Sequence, residues 1–316
     1  MKSHTRAIAA AVTPLTAGGT HVDHRAIPAL VEFYSASALD GLLVLGTTGE
    51  GILLSPHERR TAAREFIAAA TKSLPVIVHC GAQSTRDTAM LAEQAAAAGA
   101  AGIAVIAPPY FALDDRALEE HFLVAARAAA PAPFYVYEFA ARSGYAVPIE
   151  VIEKLRERAP NLAGLKVSDT PFERVEPYLL GGLDVLIGAE ELIHRGLGSG
   201  AAGAVSGLAA ALPEVTVRAV RTATAEDSAV AGRIRATVQR FPFHAALKHI
   251  LRWRGVAIGP AVRAPLRPLQ AADAEVLEAL LSDPHGDWAQ SHAVSAVSGP
   301  SKRSSRSGEM SNVLQR

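Results

Sequence analysis

The sequence predicts a (β/α)8 barrel. Three observations carry the prediction. Eight short apolar runs recur along the chain. Helix-type segments separate most of them, giving a spacing of about thirty residues. No Gly-x-Gly-x-x-Gly follows the first run, as a dinucleotide-binding doubly wound sheet would have it. Period alone leaves the doubly wound sheet open, because it uses the same strand–helix units.

The runs are AIAAAV (7–12), GLLVLG (41–46), PVIVHC (75–80), GIAVIA (102–107), PFYVYE (133–138), LAGLKV (162–167), LDVLIG (183–188) and AGAVSG (202–207). Each has the length of a strand and little polar alternation, the pattern of a strand buried on both faces. After the second run, SPHERRTAAREFIAAATKS starts a helix with Ser55 as N-cap, Pro56 at the first helical position and Glu58 closing a capping box. After the third, STRDTAMLAEQAAAAG ends on Gly99, a helix stop. After the fifth, PIEVIEKLRERAP is bounded by prolines. Beyond the eighth run, helical pattern continues from about Pro213 to Ser282, interrupted by the Gly- and Pro-containing RWRGVAIGPAVRAPLRPL. The expected organisation is a barrel over 1–225, a small helical extension over 226–284 and a Ser-rich basic tail over 285–316. The tail lacks periodicity and is expected to be disordered.

The chain has 316 residues, a formal net charge of +0 and one cysteine, Cys80. Neutrality gives no electrostatic reason to expect nucleic acid or an anionic membrane as partner. A single cysteine forms no internal disulfide, and at the end of an apolar run it reads as a small buried hydrophobe. No C-x-x-C or H-E-x-x-H spacing suggests a metal. The apolar stretch 7–12 is too short for a signal peptide core, and no stretch reaches a membrane span. A cytoplasmic enzyme without metal or cofactor is expected.

Barrel sites form where strands end. Residues at those ends are Thr13 and Pro14; Gly46, Thr47, Thr48, Gly49 and Glu50; His79 to Gly81; Pro108 to Phe111; Tyr137, Glu138 and Arg142; Lys166; Gly188 to Glu190; and Val205 to Gly207. Of six lysines, Lys166 is the one within an apolar strand-like run. It reads two ways: a strand-end lysine reaching for water, or an amine made nucleophilic by desolvation and able to form a Schiff base with a ketone. The glycine-flanked GTTGE is either a plain turn or a small anion site built from successive amides. A carboxylate held there, with its ketone over Lys166, is a 2-keto acid. Tyr137, with Thr47 and Tyr110, forms a candidate proton relay; each tyrosine taken alone reads better as an aromatic at the core rim. Arg142 is a candidate for a second carboxylate, or a surface arginine.

With these residues laid out, the sequence resembles the dihydrodipicolinate synthase / N-acetylneuraminate lyase family of class I pyruvate-dependent aldolases, from about Ile8 to Leu269. The resemblance rests on an ordered set: AAVTPLTAGGTHVD, GTTGEGILLSPHER, APPYF, YEFAARSGY, GLKVSD, GAAGAVSG and RAPLRPL. It implies that Lys166 forms the Schiff base with pyruvate and that Tyr137, Thr47 and Tyr110 relay protons. Tyr110 reaches a neighbouring subunit's site in many members. It further implies that Thr47 and Thr48 hold the pyruvate carboxylate, that Gly188 and Val205 line the site through backbone carbonyls, and that the chain forms a homotetramer as a dimer of dimers. Synthase members usually read Tyr-Asn-x-Pro-x-Arg-Thr-Gly after strand five, whereas this chain has Glu138 for the asparagine and lacks the proline. Arg142 favours an aldehyde bearing a carboxylate, as in 4-hydroxy-tetrahydrodipicolinate synthesis. Glu138, expected to contact the second substrate, favours a 2-keto-3-deoxy sugar acid or an N-acetylneuraminate-type substrate. A non-catalytic keto-acid-binding barrel has no use for a relay, and a metal-dependent aldolase lacks ligands here. Lysine-regulated members carry polar residues at positions matching Gly51, Ile52, Pro56, Arg59 and Pro109, so no lysine feedback is expected.

Overall fold

The computed structural model describes residues 5–283 and 286–288. Eight parallel strands close into a barrel in sequence order: β1 (Arg6–Ala10), β2 (Gly41–Val44), β3 (Val76–His79), β4 (Gly102–Ile106), β5 (Phe134–Glu138), β6 (Leu162–Val167), β7 (Asp184–Ile187) and β8 (Gly203–Ser206). Pairing of β1 with β8, Ile8 opposite Val205, eliminates the open doubly wound sheet. Every strand falls on its predicted run: β1 begins one residue earlier, at Arg6, β6 fills its run, and the other six are one or two residues shorter than theirs.

The helices are α1 (Ile27–Ser35), α2 (Pro56–Ala69), α3 (Thr85–Ala97), α4 (Asp115–Ala129), α5 (Ala140–Ser143), α6 (Ile149–Arg158), α7 (Ile193–Gly198), α8 (Pro213–Thr222), α9 (Ala225–Gln239), α10 (Phe243–Trp253) and α11 (Ala271–Ser282). The capping box at α2 forms as the sequence implies: the Ser55 hydroxyl accepts from Glu58 N, and Glu58 accepts from Ser55 N at 2.9 Å. Gly99 follows α3 in the left-handed conformation, φ +91°. Between β6 and β7 two 3-10 turns, Phe172–Arg174 and Glu176–Tyr178, stand in place of a helix. Pro171 and Pro177 interrupt that short connection, and a proline inside a helix removes a bond and clashes with the preceding turn.

Two apolar layers hold the barrel. Ile8, Ala10, Leu43, Ile77, Ala104, Tyr135, Leu186 and Val205 fill its interior. A much larger cluster, including Val44, Phe66, Leu118, Phe122, Leu155 and Leu212, packs strands against the helical ring. The alternation follows the two-residue period of a strand along β5 and, past a register shift at Phe134/Tyr135, along Leu165 to Val167 of β6. α8 packs on β8 and β1 as the eighth ring helix. The helices after it, α9 to α11, form the segment assigned to the extension, and α9 lies against the loop after β7. The tail expected over 285–316 lies outside the described residues except for 286–288. Among the described residues, no helix is long and apolar enough to cross a membrane.

Candidate active site

A cavity of about 680 Å³ opens at the C-terminal ends of the strands. Thr47, Thr48, Tyr137, Arg142, Lys166, Gly188 and Val205 all line it. It is continued by residues the sequence gave no reason to choose: Ser168, Glu191, Arg235, Phe243 and His244.

Lys166 pairs in register with Tyr137 on β5 and Leu186 on β7. Leu186 belongs to the barrel interior, so the lysine points inward as well. It is 7% exposed, and its Nζ stands 3.8 Å from the centre of the Tyr137 ring. The snorkelling alternative is therefore not what this side chain does. The chain also buries Lys248, on α10, completely. That ammonium donates to Glu50 Oε1 at 2.5 Å and to Ala261 O at 2.7 Å, and it does not line the cavity. The Lys248 amine is thus engaged by a buried carboxylate away from the cavity, whereas Lys166 lines it.

The Tyr137 hydroxyl lies 3.2 Å from Thr47 Oγ1. Burial alone raises a phenol's pKa. Here the charge of Lys166 and hydrogen bonds from Thr47, Lys166 and Ser168 outweigh it, and Tyr137 is held below the usual phenol range. A Tyr137 proton is thus easier to give up than that of a free tyrosine. The opposite edge of the site is the GTTGE loop. Thr13 Oγ1 donates to Gly49 O at 2.6 Å, and His244 Nε2 contacts Thr47 O at 3.0 Å. Glu50 takes a left-handed conformation, φ +58°. Its carboxylate turns away from the cavity to accept from Lys248 and from Arg263 N at 2.6 Å. The loop is thereby tied to α10 and to the segment after it. Gly188 is needed for contact: a Cβ there would sit 2.0 Å from Ser168 Oγ.

Two expected residues stand elsewhere. Tyr110 is 87% exposed, in the left-handed region at φ +86°, stacked edge-on with Phe111. It lies outside the cavity of its own chain. Glu138, expected to contact the second substrate, does not line the cavity either. It follows Tyr137 on β5, so it faces the helical layer, where it is fully buried and accepts from Val147 N at 2.9 Å. The two-residue period of the strand carried that signal. Arg142 does reach the cavity, exposed and 5.6 Å above the Phe139 ring.

A second arginine converges from α9. The Arg235 guanidinium stacks 3.8 Å over Phe243, Nε donates to Gln239 Oε1 at 3.1 Å, and one terminal nitrogen stands 3.5 Å from Glu190 Oε1. A Cβ at Gly207 would meet both that guanidinium, at 2.7 Å, and Thr48 Oγ1, at 3.2 Å. Nothing in local sequence pointed to Arg235, because the extension folds back over the barrel mouth. Glu190, noted at the end of β7, accepts from Ser206 Oγ at 2.6 Å and Leu208 N at 3.1 Å and braces the β7 and β8 loops. Among the described residues, no cluster of three metal-ligating side chains occurs.

The model of the dihydrodipicolinate synthetase family matches residues 3–283. The chain belongs to that family. It is 37% identical over 257 residues to a DapA-like lyase of Halobacterium salinarum, covering 78% of this chain and 83% of that protein. It is 35% identical over 223 residues to a 4-hydroxy-tetrahydrodipicolinate synthase of Sorangium cellulosum, covering 70% and 74%. It is 33% identical over 242 residues to the N-acetylneuraminate lyase of Homo sapiens, covering 74% and 75%. Among solved structures, a prophage protein of the dihydrodipicolinic acid synthase family from E. coli K12, in complex with pyruvate, superimposes with a TM-score of 0.81 at 26% identity, covering 87% and 97%. Relatives thus carry both synthase and lyase names. The family is one of lyases of the aldolase type, and the substrate is not fixed by membership.

Proposed function

We propose that the chain is a pyruvate-dependent carbon–carbon lyase or synthase acting through a Schiff base on Lys166. The observation that carries this is the inward, buried side chain of Lys166, its Nζ over the Tyr137 ring in the cavity, with Tyr137 itself in contact with Thr47. The free amine attacks the ketone carbon of pyruvate, and the carbinolamine loses water to give an iminium. The iminium draws electrons from C3, which releases a proton and leaves an enamine. The enamine carbon then bonds to an aldehyde carbon, whose oxygen takes a proton. Water attacks the resulting iminium and frees Lys166 and product. Cleavage is the same sequence reversed. Tyr137 and Thr47 move protons to and from the carbinolamine oxygen and the aldehyde oxygen, and Thr47 with Thr48 holds the keto-acid carboxylate.

For the second substrate, Arg142 and Arg235 lining one cavity favour an aldehyde with its own carboxylate, the 4-hydroxy-tetrahydrodipicolinate synthase-like reading. The second reading, an aldolase for a 2-keto-3-deoxy sugar acid or N-acetylneuraminate-type substrate, now draws on Glu191 in the cavity wall, a carboxylate able to accept hydroxyl hydrogens, and no longer on Glu138. The exposed, strained Tyr110 suits a residue completed by a second subunit in a dimer of dimers. Borohydride reduction in the presence of pyruvate tests the central claim. A mass increase on the Lys166 peptide, absent in Lys166→Ala, is expected; an adduct that persists in that variant refutes it. A panel of aldehydes with pyruvate then separates the two substrate readings.

A further inference from the structure

The loop between β5 and α6 carries Phe139 and Arg142 into the cavity, and its two ends are held from behind by two carboxyl groups. Glu138 Oε2 accepts from Val147 N at 2.9 Å, at the far end of the loop. Asp169 Oδ2 accepts from Ala140 N at 3.2 Å, at the near end. Glu138 and Asp169 are 0% and 5% exposed. No donor satisfies Glu138 Oε1, a buried oxygen whose acidic neighbour is Asp169. Two ionised carboxylates in one dry site repel. One proton shared between them gives the orphaned oxygen a role, as an O–H facing the Asp169 carboxylate.

We propose that Glu138 and Asp169 form a proton-sharing clasp that positions the Arg142 loop, and that loss of the shared proton releases the loop. Glu138 is on this reading a positioning residue, acting on substrate through Arg142. The groups facing it are Asp169 from the end of β6, Tyr178 from the 3-10 turn after it and Tyr145 from the loop itself. Tyr178 donates to Val147 O at 2.7 Å and Tyr145 to Pro108 O at 3.0 Å, so both tyrosines brace the same loop. Arg174 and Asp169 line the adjoining cavity of about 390 Å³. Burial, chiefly, and then Asp169 push the Glu138 carboxyl up to about 8. The clasp is therefore closed at neutral pH.

The linkage fixes the sign. Opening exposes Glu138, which then ionises near its ordinary value of 4.5, so opening releases one proton between about pH 4.5 and pH 8. Amide hydrogen exchange of the full chain, read on peptides covering Ala140 to Val147, reports the opening directly. Protection is expected to fall by up to ten-fold per pH unit across that window and to level off above it. In Glu138→Gln, whose amide can donate to Asp169 without titrating, the slope is expected to vanish. A flat wild-type profile overturns the proposal even if the variant fails to fold, and so does a slope that survives in Glu138→Gln. The role of Arg142 rests on the substrate reading above. An exchange slope with a pH-independent KM for a carboxylate-bearing aldehyde supports the clasp and counts against that reading alone.

Discussion

Tyr137 meets a cation at its ring and hydroxyls at its oxygen, and both act on the same proton. The Lys166 charge and the Thr47 and Ser168 bonds favour the phenolate against the cost of burial. Replacing Tyr137 with Phe keeps the ring over Lys166 and removes only the hydroxyl. Turnover is expected to fall by about 10²- to 10⁴-fold, the usual size of a lost proton-transfer group, while pyruvate still forms an adduct, more slowly. Unchanged turnover in steady-state assays refutes the relay. Arg142→Ala is expected to raise KM for a carboxylate-bearing aldehyde by about ten-fold or more, the worth of a charge-assisted hydrogen bond, and to leave pyruvate trapping unchanged; an equal effect on both points instead to a disturbed fold. At this scale the sequence was legible where chemistry and strand register agree, as at Lys166. It misplaced Glu138 because residue type was weighed over register: one step along a strand reverses the face.

The GTTGE loop is held by elements far from it in sequence. Glu50 and Lys248 are both inaccessible to solvent and 2.5 Å apart, and burial lowers the lysine's pKa against the pull of Glu50. The neighbouring Arg263 side chain is paired with Glu58, the capping-box residue of α2. One carboxylate thus joins the loop to α10, and a second joins α2 to the segment after α10. Lys248→Met strands the Glu50 charge in an apolar site and is expected to cost about 3–5 kcal/mol in denaturant unfolding. The double variant Glu50→Gln/Lys248→Met is expected to recover part of that loss, because no buried charge is left alone. Equal destabilisation of the single and double variants would show that packing, not charge, dominates. The capping box next door could be read from four consecutive residues. The Glu50–Lys248 pair could not, since its partners are 198 residues apart and only closure of the fold brings them together.

The eight-fold repeat of apolar run and helix carries the architecture, because a parallel strand buried on both faces leaves a continuous apolar signature. The position of α9 across the barrel mouth left no such trace, and with it Arg235 stayed hidden. Whole-molecule stability integrates buried groups from both layers, and their signs oppose. His79, beside Tyr137 in the interior, is held down to about 3, chiefly by burial and then by the Arg59 and Lys166 charges. His121, in the outer ring, is held down to about 4 by burial. Both must take up protons on unfolding at acid pH, so their contribution is complete above about pH 6.5 and is lost as pH falls. His244 is also lowered, mainly by burial, and acts in the same direction. Glu138 does the reverse: its raised value favours the folded state at low pH, and that advantage is lost as pH rises from about 4.5 to about 8. Between pH 6.5 and 8 Glu138 alone among these four groups acts, and stability is expected to decline by about 1.4 kcal/mol per pH unit. Below pH 6.5 the histidines overtake it and stability falls again, which places the maximum near pH 6.5. Urea unfolding of the wild type from pH 5 to 8 should show that maximum. Glu138→Gln should abolish the alkaline decline and steepen the acid one, whereas His121→Gln should flatten the acid limb by one proton's worth. A wild-type optimum at or above pH 8, or an alkaline limb that Glu138→Gln leaves in place, is incompatible with a protonated Glu138 behind β5.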